Sequence, residues 1–413
     1  MRGPENVKRI DCDVLVVGGG VAGTLAAVAA ARGGARTVLA ERESYLGGTG
    51  YAGLLQHICG LYLNGDAVPA DTLNEGLVRE VAVLLLKCSP KTVIQKIGKV
   101  YVLPYERKGL RTVLESLCRN ENRLTVMREN AATSVERQGS DIRNVVTVSS
   151  GIRTVLEPAV VIDCSGDGEV AILAGAESDL AIEHERQLAG YVIQVKGLHD
   201  ADETLSIKVP YCLARAVNEG KLPFPAKFTT FSLGDNPREG YCKMSVEGEK
   251  SLERETRAKK DALAIHAMLA EALPAFNKSW IADSSLNVVD REGRRIKGDY
   301  ILTREDILQA RKFADSVVKN AWPIEFWNKE KGTLYEYVPA GNYYEIPFRC
   351  LKVKGISNLL TAGRCISVTN EALGSTRVMG TCMALGGQAG RAAAYRAMNG
   401  AYPTDIKSFS GNR

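Results

Sequence analysis

The sequence lacks closely spaced cysteines. Its ten cysteines are scattered along the chain, and no two of them lie closer than fifteen positions. Without a C-x-x-C pair, the sequence gives no support for a redox-active dithiol, a zinc site or an iron–sulfur cluster. We therefore expect no metal site and interpret most of the cysteines as small buried side chains.

The sequence also lacks an excess of one charge and a long apolar run. A formal net charge of +5 is small for 413 residues, and acidic and basic residues are interleaved, which gives no indication of nucleic-acid binding. No apolar run approaches the length of a membrane span, and the polar stretch Met1–Asp11 has no signal-peptide pattern. We expect a cytoplasmic protein without a membrane span, and the sequence leaves open whether it forms a homo-oligomer.

The most informative segment is a glycine-rich turn. Four apolar residues, Val14–Val17, are typical of a buried parallel strand, and the sequence GGGVAG at positions 18–23 then opens a predicted helix that ends near Arg32. In such a turn Gly20 lets the backbone approach a pyrophosphate, and Gly23 lets the helix pack closely on the strand. Glu41 follows a second predicted strand, where a carboxylate would accept hydrogen bonds from a ribose. This context predicts a dinucleotide site.

Further segments extend the predicted sheet. Residues 44–50 form a glycine-rich loop that would lie against a ligand, and Thr72–Glu75 resembles a capping box, which predicts a helix from there to Pro90. Alternating residues from Ala132 to Leu156 predict a three-stranded meander. A second buried strand then ends in the turn DCSGDG at positions 163–168. The charged run 290–300 is interpreted as a solvated surface loop.

Composition divides the chain into three parts. Residues 177–344 have denser charge and fewer glycines, with predicted strands near 190–195 and 241–246 and predicted helices at 252–273 and 304–321. After residue 345 a short strand at 358–364, a loop at 366–376 and a long helix at 377–398 are predicted. That helix contains four glycines, each costing roughly 1 kcal/mol relative to alanine. Close packing on the first strand and helix would explain them, and the helix N-terminus would point at a ligand.

Together these segments resemble the FAD-dependent oxidoreductases with a split nucleotide-binding domain. Their wider superfamily includes the flavoprotein subunits of succinate dehydrogenase and fumarate reductase, and the flavin part of heterodisulfide reductase. The matching segments are GGGVAG at 18–23, Glu41, LGG at 46–48, DCSGDG at 163–168, REGRRIKGDY at 291–300, IPFR at 346–349, AGRCIS at 362–367 and EALGSTRVM at 371–379.

The resemblance implies an α/β fold and an FAD cofactor. A Rossmann-type, glutathione-reductase-like FAD-binding domain would consist of residues 1–176 and 345–413, with an α+β substrate domain, residues 177–344, inserted between them. The chain departs from heterodisulfide reductase in lacking cluster cysteines. It has no second G-x-G-x-x-G motif that directly follows a predicted strand, so a built-in NAD(P)H domain is not expected.

The resemblance also places the parts of the cofactor. The pyrophosphate would lie over residues 18–23, the ribose on Glu41, adenine near Ala132, and the isoalloxazine close to Gly363 and the start of the last helix. The predicted cofactor residues are Gly18, Gly20, Val21, Ala22, Gly23, Glu41, Arg42, Gly47, Gly48, Thr49, Ala132, Ser165, Gly166, Asp167, Gly363, Arg364, Val378 and Met379.

Catalysis would need a base near the flavin and a cation for an anionic substrate. The candidate bases are His57, Tyr300, Tyr343, Tyr344 and Glu371, and the candidate anion ligands are Arg294, Arg295, Arg349, Arg364 and Arg377. From these we select His57, Arg295, Tyr300, Tyr344, Arg349, Glu371 and Arg377 as the predicted catalytic set. A structural ion pair is the alternative for each arginine, and a buried structural histidine is the favoured alternative for His57.

The expected function is hydride transfer between a small organic substrate and FAD, followed by electron transfer to an external acceptor. An anionic substrate is one option. One alternative is a flavin monooxygenase that uses NAD(P)H and O2. Another is an electron-transfer subunit without a substrate, against which the missing cluster and dithiol motifs argue. The sequence leaves the substrate, the acceptor and a covalent flavin link through His57 undecided.

Overall fold

The computed structural model describes residues 7–89, 92–182, 185–328 and 330–406. Residues 1–6 of the polar N-terminal stretch, Pro90 at the end of a predicted helix and residues 407–413 of the predicted third part lie outside the described residues. Among the described residues, no helix combines the length and the apolar character that crossing a membrane requires.

Most strands are short, and the two longest have 11 and 12 residues. They are β1 Val7–Val17, β2 Thr37–Ala40, β3 His57–Ile58, β4 Gln95–Ile97, β5 Val100–Pro104, β6 Leu124–Met127, β7 Ala131–Gln138, β8 Asp141–Ser149, β9 Ile152–Asp163, β10 Ser178–Asp179, β11 Ala189–Lys196, β12 Thr230–Leu233, β13 Glu239–Val246, β14 Trp280–Ser284, β15 Arg295–Ile296, β16 Ser316–Asn320, β17 Ile324–Asn328, β18 Gly332–Glu336, β19 Tyr344–Pro347 and β20 Leu359–Thr361.

The helices range from one turn to 21 residues. They are α1 Val21–Arg32, α2 Thr49–Ala52, α3 Leu77–Cys88, α4 Arg107–Arg119, α5 Glu169–Leu173, α6 Leu205–Asn218, α7 Leu252–Ala272, α8 Arg304–Leu308, α9 Asn370–Thr376 and α10 Met379–Asn399, with 3-10 turns at Phe224–Phe228, Pro274–Phe276 and Phe348–Cys350.

A parallel sheet joins the two ends of the chain. Its strands lie in the order β6-β2-β1-β9-β20, and Val14 on β1 is opposite both Thr37 on β2 and Val160 on β9. The long strand β9 belongs to two arrangements: its first residues pair with β8 in the antiparallel meander β7-β8-β9, and its last residues pair with β20. These observations confirm the α/β class and the three-stranded meander.

Helices α1 and α10 pack closely on one another and on this sheet. A Cβ atom added at Gly386 would lie 2.0 Å from the carbonyl oxygen of Ala22, and one added at Gly390 would lie 2.1 Å from that of Ala26. These two glycines therefore let the helix backbones approach more closely than any other residue would allow. The predicted reason for a glycine-rich last helix is confirmed at these positions.

A second sheet has its own core. Strands β12-β13-β11-β14 are antiparallel, and α6 and α7 cover one face with buried residues such as Val209 and Ile265. This core involves residues between 189 and 288, whereas residues from Leu302 to Tyr344 share the hydrophobic cluster of the parallel sheet. The domain boundaries 176/177 and 344/345 stay a prediction.

Three element predictions are wrong. The helix expected from Thr72 begins only at Leu77, because Gly76 before it has φ +70° and the Thr72 hydroxyl donates to the carbonyl of Asn74 at 2.7 Å instead of capping a helix. The helix expected at 304–321 ends at Leu308, since the β-branched residues after it join β16 and pair with β19.

The third wrong prediction concerns the loop at 366–376, which contains α9. Thr369 begins this helix by accepting a hydrogen bond from the amide of Ala372 at 3.3 Å. Serine, threonine and asparagine near the start of the segment suit an N-terminal cap as well as a loop, so composition alone did not separate the two.

Candidate active site

A cavity of about 820 Å³ lies at the carboxyl ends of β1, β2 and β20. Val17 and Ala40, the last residues of β1 and β2, line it together with Gly363 after β20. The carboxyl edge of a parallel sheet is where ligands bind in doubly wound folds. The volume falls in the upper part of the ~300–1,000 Å³ typical of ligand pockets.

The predicted cofactor residues meet at this cavity with one exception. All of them line it apart from Gly23. A Cβ atom at Gly23 would lie 1.7 Å from the carbonyl oxygen of Gly18, so this glycine permits the close contact between α1 and the preceding turn. That packing role is the one predicted for it, and its place among the cofactor residues stays a prediction.

The N-terminus of α1 is open toward the cavity. Its N-cap is Gly20, which provides no capping side chain, and the first turn contains no acidic residue. An added Cβ at Gly20 would find its nearest neighbour only at 4.0 Å, so the backbone there is accessible. Uncapped amide groups and the helix dipole favour an anion at this position, which fits the pyrophosphate of a dinucleotide.

Glu41 is fixed at the end of β2. Its carboxylate accepts hydrogen bonds from the amide of Gly19 and, at 2.7 Å, from that of Glu43. Burial raises the pKa of Glu41, although these two backbone bonds oppose the shift. Carboxylate oxygens have further lone pairs, so this held side chain can still accept hydrogen bonds from a ribose. The neighbouring Arg42 pairs with Glu169 at 2.9 Å.

Asp163, the last residue of β9, holds the second glycine-rich turn through hydrogen bonds to its carboxylate. Its carboxylate accepts hydrogen bonds from the Ser165 hydroxyl at 2.6 Å and from the Ala171 amide at 2.9 Å, and burial raises its pKa. Asp167 in the same turn accepts a hydrogen bond from Arg364 at 2.8 Å. This ion pair ties the turn after β9 to the turn after β20, and both turns line the cavity.

The N-terminus of α10 is a second uncapped helix end in the cavity. Val378 is its N-cap, no side chain caps it, and its first turn has no acidic residue. Val378 and Met379 both line the cavity. A helix N-terminus at this position would stabilise negative charge that develops on a reduced flavin. The two helix ends and Glu41 together fit an FAD molecule.

Beyond the start of α10, the cavity is lined by three cations that we call the cation cluster: Lys243, Arg291 and Arg377. The Arg291 guanidinium lies 3.9 Å and the Lys243 ammonium 4.4 Å from the ring centre of Trp327. The carboxylate that lines the cavity beside them is Glu325, which accepts a hydrogen bond from the Trp327 indole at 2.8 Å, while Glu292, outside the lining, also acts on Arg377.

Burial and mutual repulsion perturb these groups. They lower the pKa of Lys243 to about 8 and that of Arg291 to about 9, and burial also lowers the pKa of Arg377. Burial alone would raise the pKa of Glu325, but Lys243 and Arg377 hold it below its usual value. Perturbed ionisable groups in a cleft are typical of functional sites.

His57 lies on β3 and lines the same end of the cavity. Burial lowers its pKa, while a hydrogen bond with Gln95 opposes the shift. Nearby Cys59 has a pKa raised to about 12 by burial, so its thiol stays protonated. Next to them Leu54 has φ +48°, a conformation that is uncommon outside glycine and that occurs at strained functional sites.

The structure does not bring the other predicted catalytic residues into the cavity lining. Buried Arg295 contacts Glu292 at 3.8 Å, and Arg349 pairs with Asp315 at 3.0 Å. Glu371 is exposed in the first turn of α9. Arg295 and Arg349 therefore form structural ion pairs, as the alternative interpretation expected, and we do not propose direct catalytic roles for them.

The predicted tyrosine bases are also placed elsewhere. The Tyr300 hydroxyl donates to Asp306 at 2.8 Å, and buried Tyr344 bonds with Asn320 and Ser375, each at 2.7 Å. The ring of Tyr343 is covered by Lys312. Exposed Arg294 lies outside the cavity lining as well.

Sequence reasoning missed Lys243, Arg291, Glu325 and Trp327 as site residues. The charged run 290–300, interpreted as solvated, has Arg291 and Glu292 each only 8% exposed, which corrects that interpretation. A usable signal was the alternation on β13, where Cys242 and Met244 are buried in the second core and Lys243 must face the other way.

Comparison with known proteins identifies the family. Residues 13–411 match the family described as FAD dependent oxidoreductase. No curated protein sequence matches the chain. Similar solved structures include a geranylgeranyl bacteriochlorophyll reductase-like protein from Thermoplasma acidophilum, at 14% identity and a TM-score of 0.51, covering 97% of this chain and 82% of that one.

Two further solved structures have a similar fold. The anhydrotetracycline hydroxylase OxyS from Streptomyces rimosus is 12% identical, with a TM-score of 0.53, and the alignment covers 97% of this chain and 65% of that one. The p-nitrophenol 4-monooxygenase PnpA from Pseudomonas putida is 12% identical, with a TM-score of 0.50 and coverages of 98% and 84%. At such identities these likenesses establish the fold alone. Because the family match spans nearly the whole chain, the protein belongs to the FAD dependent oxidoreductases and is an enzyme with an FAD cofactor.

Proposed function

We propose that the enzyme transfers a hydride between a small anionic organic substrate and FAD, and that the electrons then pass to an external acceptor. The observation that supports this is the composition of the cavity end next to α10. Three cations, Lys243, Arg291 and Arg377, lie around the carboxylate of Glu325 in this part of the cavity, where burial perturbs all four groups. An excess of positive charge away from bulk water favours an anionic guest.

Residues near the cation cluster have complementary tasks in this proposal. FAD, when bound, supplies the two-electron acceptor. Arg377 is held by hydrogen bonds to the carbonyl of Glu325 at 2.9 Å and to Gln187 at 3.2 Å, so its charge has a fixed position from which to orient a substrate. Leu54 and Val192 line the cavity as apolar walls that exclude water.

His57 is the proposed proton acceptor. Burial keeps its imidazole neutral near pH 7, because its pKa lies below the usual value of ~6.5. When a C–H bond of the substrate is broken and its hydrogen leaves as a hydride to FAD, a neutral imidazole at the cavity wall can accept the proton that is released from the substrate's O–H, N–H or adjacent C–H bond. The structural alternative, in which its bond with Gln95 only stabilises β3, predicts that its removal leaves the reduction rate unchanged.

A flavin monooxygenase is the second candidate. It is supported by the names of two proteins of similar fold, a hydroxylase and a monooxygenase, at 12% identity each. Such an enzyme would consume NAD(P)H and O2 in a reaction that its substrate stimulates. The cation cluster gives no specific support for this candidate.

The test is an anaerobic screen of FAD-loaded protein. Small carboxylates and their matched amides and esters are added, and bleaching of the flavin absorbance is recorded. We expect a carboxylate to bleach the flavin and its neutral analogue to fail. Substrate-stimulated NAD(P)H oxidation in air, without anaerobic bleaching by any compound, would instead support the monooxygenase.

A pair of variants connects the screen to the cavity. In Arg377→Met, the carboxylate concentration needed for half-maximal bleaching should rise at least tenfold, since this end of the cavity loses one of its three positive charges and an interaction with a charged group contributes roughly 1.5–3 kcal/mol. Arg304→Met removes a partly exposed arginine that pairs with Glu336; neither residue lines the cavity, and the variant should behave as the wild type. Equal effects of the two variants would contradict the assignment.

A further inference from the structure

Within the described part of the chain, one member of the cation cluster has a charged group that donates no hydrogen bond to the protein. Arg377 donates to the carbonyls of Glu325 and Arg291 and to Gln187. Arg291 donates to the carbonyl of Leu188 and lies on the ring of Trp327. Both guanidinium groups are therefore part of the scaffold that forms the end of the cavity.

Lys243 differs from both arginines. Its ammonium has three N–H donors, and its nearest described contact is the face of Trp327, 4.4 Å from the ring centre. Across residues 7–89, 92–182, 185–328 and 330–406, no hydrogen bond or ion pair of the Lys243 ammonium is seen. A ring face attracts a cation but accepts no conventional hydrogen bond, so three donors remain for a guest.

The strand position of Lys243 directs it into the cavity. It lies in β13, and its neighbours Cys242 and Met244 point into the core of the second sheet. Successive side chains on a strand alternate between faces, so Lys243 must point away from that core. It is partly exposed, and it lines the cavity together with Arg291 and Arg377.

The surroundings of Lys243 favour an anion. The groups whose charges act on it are Arg291, Arg377, Glu325 and Cys59, and its own charge acts on His57. Cys59 and His57 are neutral near pH 7, so Glu325 is the one negative group among them. An ammonium removed from water needs a partner that compensates for lost hydration, and a carboxylate that accepts its hydrogen bonds provides one.

We propose that Lys243 is the residue that binds the acidic group of the substrate, and that this group is a carboxylate. The proposal rests on the proposed function, and it adds which cation makes the contact. Arg291 and Arg377 then act as positioning residues that shape the site and keep Lys243 away from other acceptors.

The pH dependence follows from the state of Lys243. With a pKa of about 8 in the free protein, the ammonium is charged at pH 7 and loses its proton above pH 8. Carboxylate affinity should therefore be constant from pH 6.5 to 7.5 and fall toward tenfold per pH unit above pH 8. Cys59, with a pKa of about 12, does not titrate in this range, and His57 titrates below it. Arg291, with a pKa of about 9, titrates at the upper end of the range, so the decline that reports on Lys243 is the one between pH 7.5 and 8.5.

The experiment is a titration of FAD-loaded protein with acetate and with benzoate, and with acetamide and benzamide as neutral counterparts. Binding is followed by the change in flavin absorbance at fixed ionic strength between pH 6.5 and 9.5. The variants are Lys243→Met, which removes the charge, and Lys243→Arg, which retains it at every pH used. Lys196→Met is the matched control, a strand lysine of the same sheet that pairs with Glu239 at 3.2 Å.

We expect Lys243→Met to weaken carboxylate binding at least tenfold at pH 7 and to leave amide binding unchanged. Lys243→Arg should bind a carboxylate without the decline between pH 7.5 and 8.5, and Lys196→Met should match the wild type. Wild-type carboxylate affinity that stays constant to pH 9.5, or an unchanged affinity in Lys243→Met, would overturn the proposal while leaving an anionic substrate in place.

Other outcomes separate this proposal from the proposed function. If the wild type binds the amides and neither carboxylate, the anionic substrate itself is refuted and the role of Lys243 with it. If Lys243→Met retains too little FAD for titration, Lys243→Arg decides alone: a pH profile identical to that of the wild type would exclude Lys243 as the titrating ligand.

Discussion

Replacing Gly386 by alanine tests the contact on which the cofactor site depends. The added methyl carbon would lie 2.0 Å from the carbonyl oxygen of Ala22, well inside the ~3.4 Å at which ordinary contacts begin. The neighbour is helix backbone, so no side chain can rotate out of the way. The two helices must separate by about 1 Å or more, or one must unwind locally.

The cost of this separation has two parts. Overpacking of a close-packed interior costs typically ~1–3 kcal/mol, and the rigid helix backbone places this case at the upper end. The alanine would also gain up to ~1 kcal/mol in helix propensity, which offsets a part. We therefore expect Gly386→Ala to lower the free energy of unfolding by about 1–3 kcal/mol.

FAD affinity should change in the same variant. Ala22 lines the cavity in the first turn of α1, so a displaced helix moves the amide groups that are predicted to bind the pyrophosphate. A loss of ~1.4 kcal/mol in that contact corresponds to a tenfold higher dissociation constant. Urea unfolding of the apo protein and fluorescence titration with FAD measure the two effects separately.

The adjacent glycine provides the control. Gly387 lies on the same helix, and an added Cβ there would find nothing within 4 Å. Gly387→Ala should keep FAD affinity and gain stability of roughly 0.5–1 kcal/mol from helix propensity. If Gly386→Ala proves as stable as Gly387→Ala and binds FAD equally well, the close contact of α1 with α10 does not support the cofactor site.

Three further predictions concern other parts of the site. Glu41→Gln should weaken FAD binding roughly tenfold, because a charged acceptor is lost; unchanged affinity in a fluorescence titration would contradict the ribose contact. Gly168→Ala should destabilise the apo protein in urea by more than Gly175→Ala. Both glycines have positive φ, but only at Gly168 would the Cβ meet a side chain, that of Ile296 at 2.4 Å. Equal losses of unfolding free energy in the two variants would show that the contact with Ile296 does not contribute. Burial lowers the pKa of His57, so an unfolded chain binds its proton first and stability falls as pH drops below ~6.5. His57→Gln should therefore lose less stability than the wild type between pH 7 and pH 5, and parallel curves would contradict this.

The cofactor end of the site was largely predictable from the sequence. Gly18, Gly20 and Glu41 serve local needs: a turn, an open backbone and an acid at a strand end. These structural requirements depend on residues that are close in sequence, so a short segment is enough to predict the roles of the three residues. The same holds for α10, whose glycines are costly in a helix unless another backbone lies against them.

The substrate end was not predictable in the same way. Lys243, Arg291 and Trp327 come from three distant segments, and none of these has a local pattern that indicates a ligand. An arginine that pairs with a carboxylate on the surface has the same sequence signature as one that faces a substrate. Arg349 and Arg377 illustrate this: Arg349 forms an ion pair with Asp315, whereas Arg377 lines the cavity.

The pairing of α1 with α10 has a consequence for synthesis of the protein. About 350 residues separate the end of one helix from the start of the other, so at ribosomal rates of ~5–20 residues per second α1 emerges roughly 20–70 s before its partner exists. During that interval the side of α1 that packs against α10 is not covered. The turn that is predicted to bind the pyrophosphate also lacks the turn after β20, which lines the same cavity. We expect nascent chains that lack α10 to depend on chaperones and to bind no FAD, so that flavin capture marks the completion of the chain.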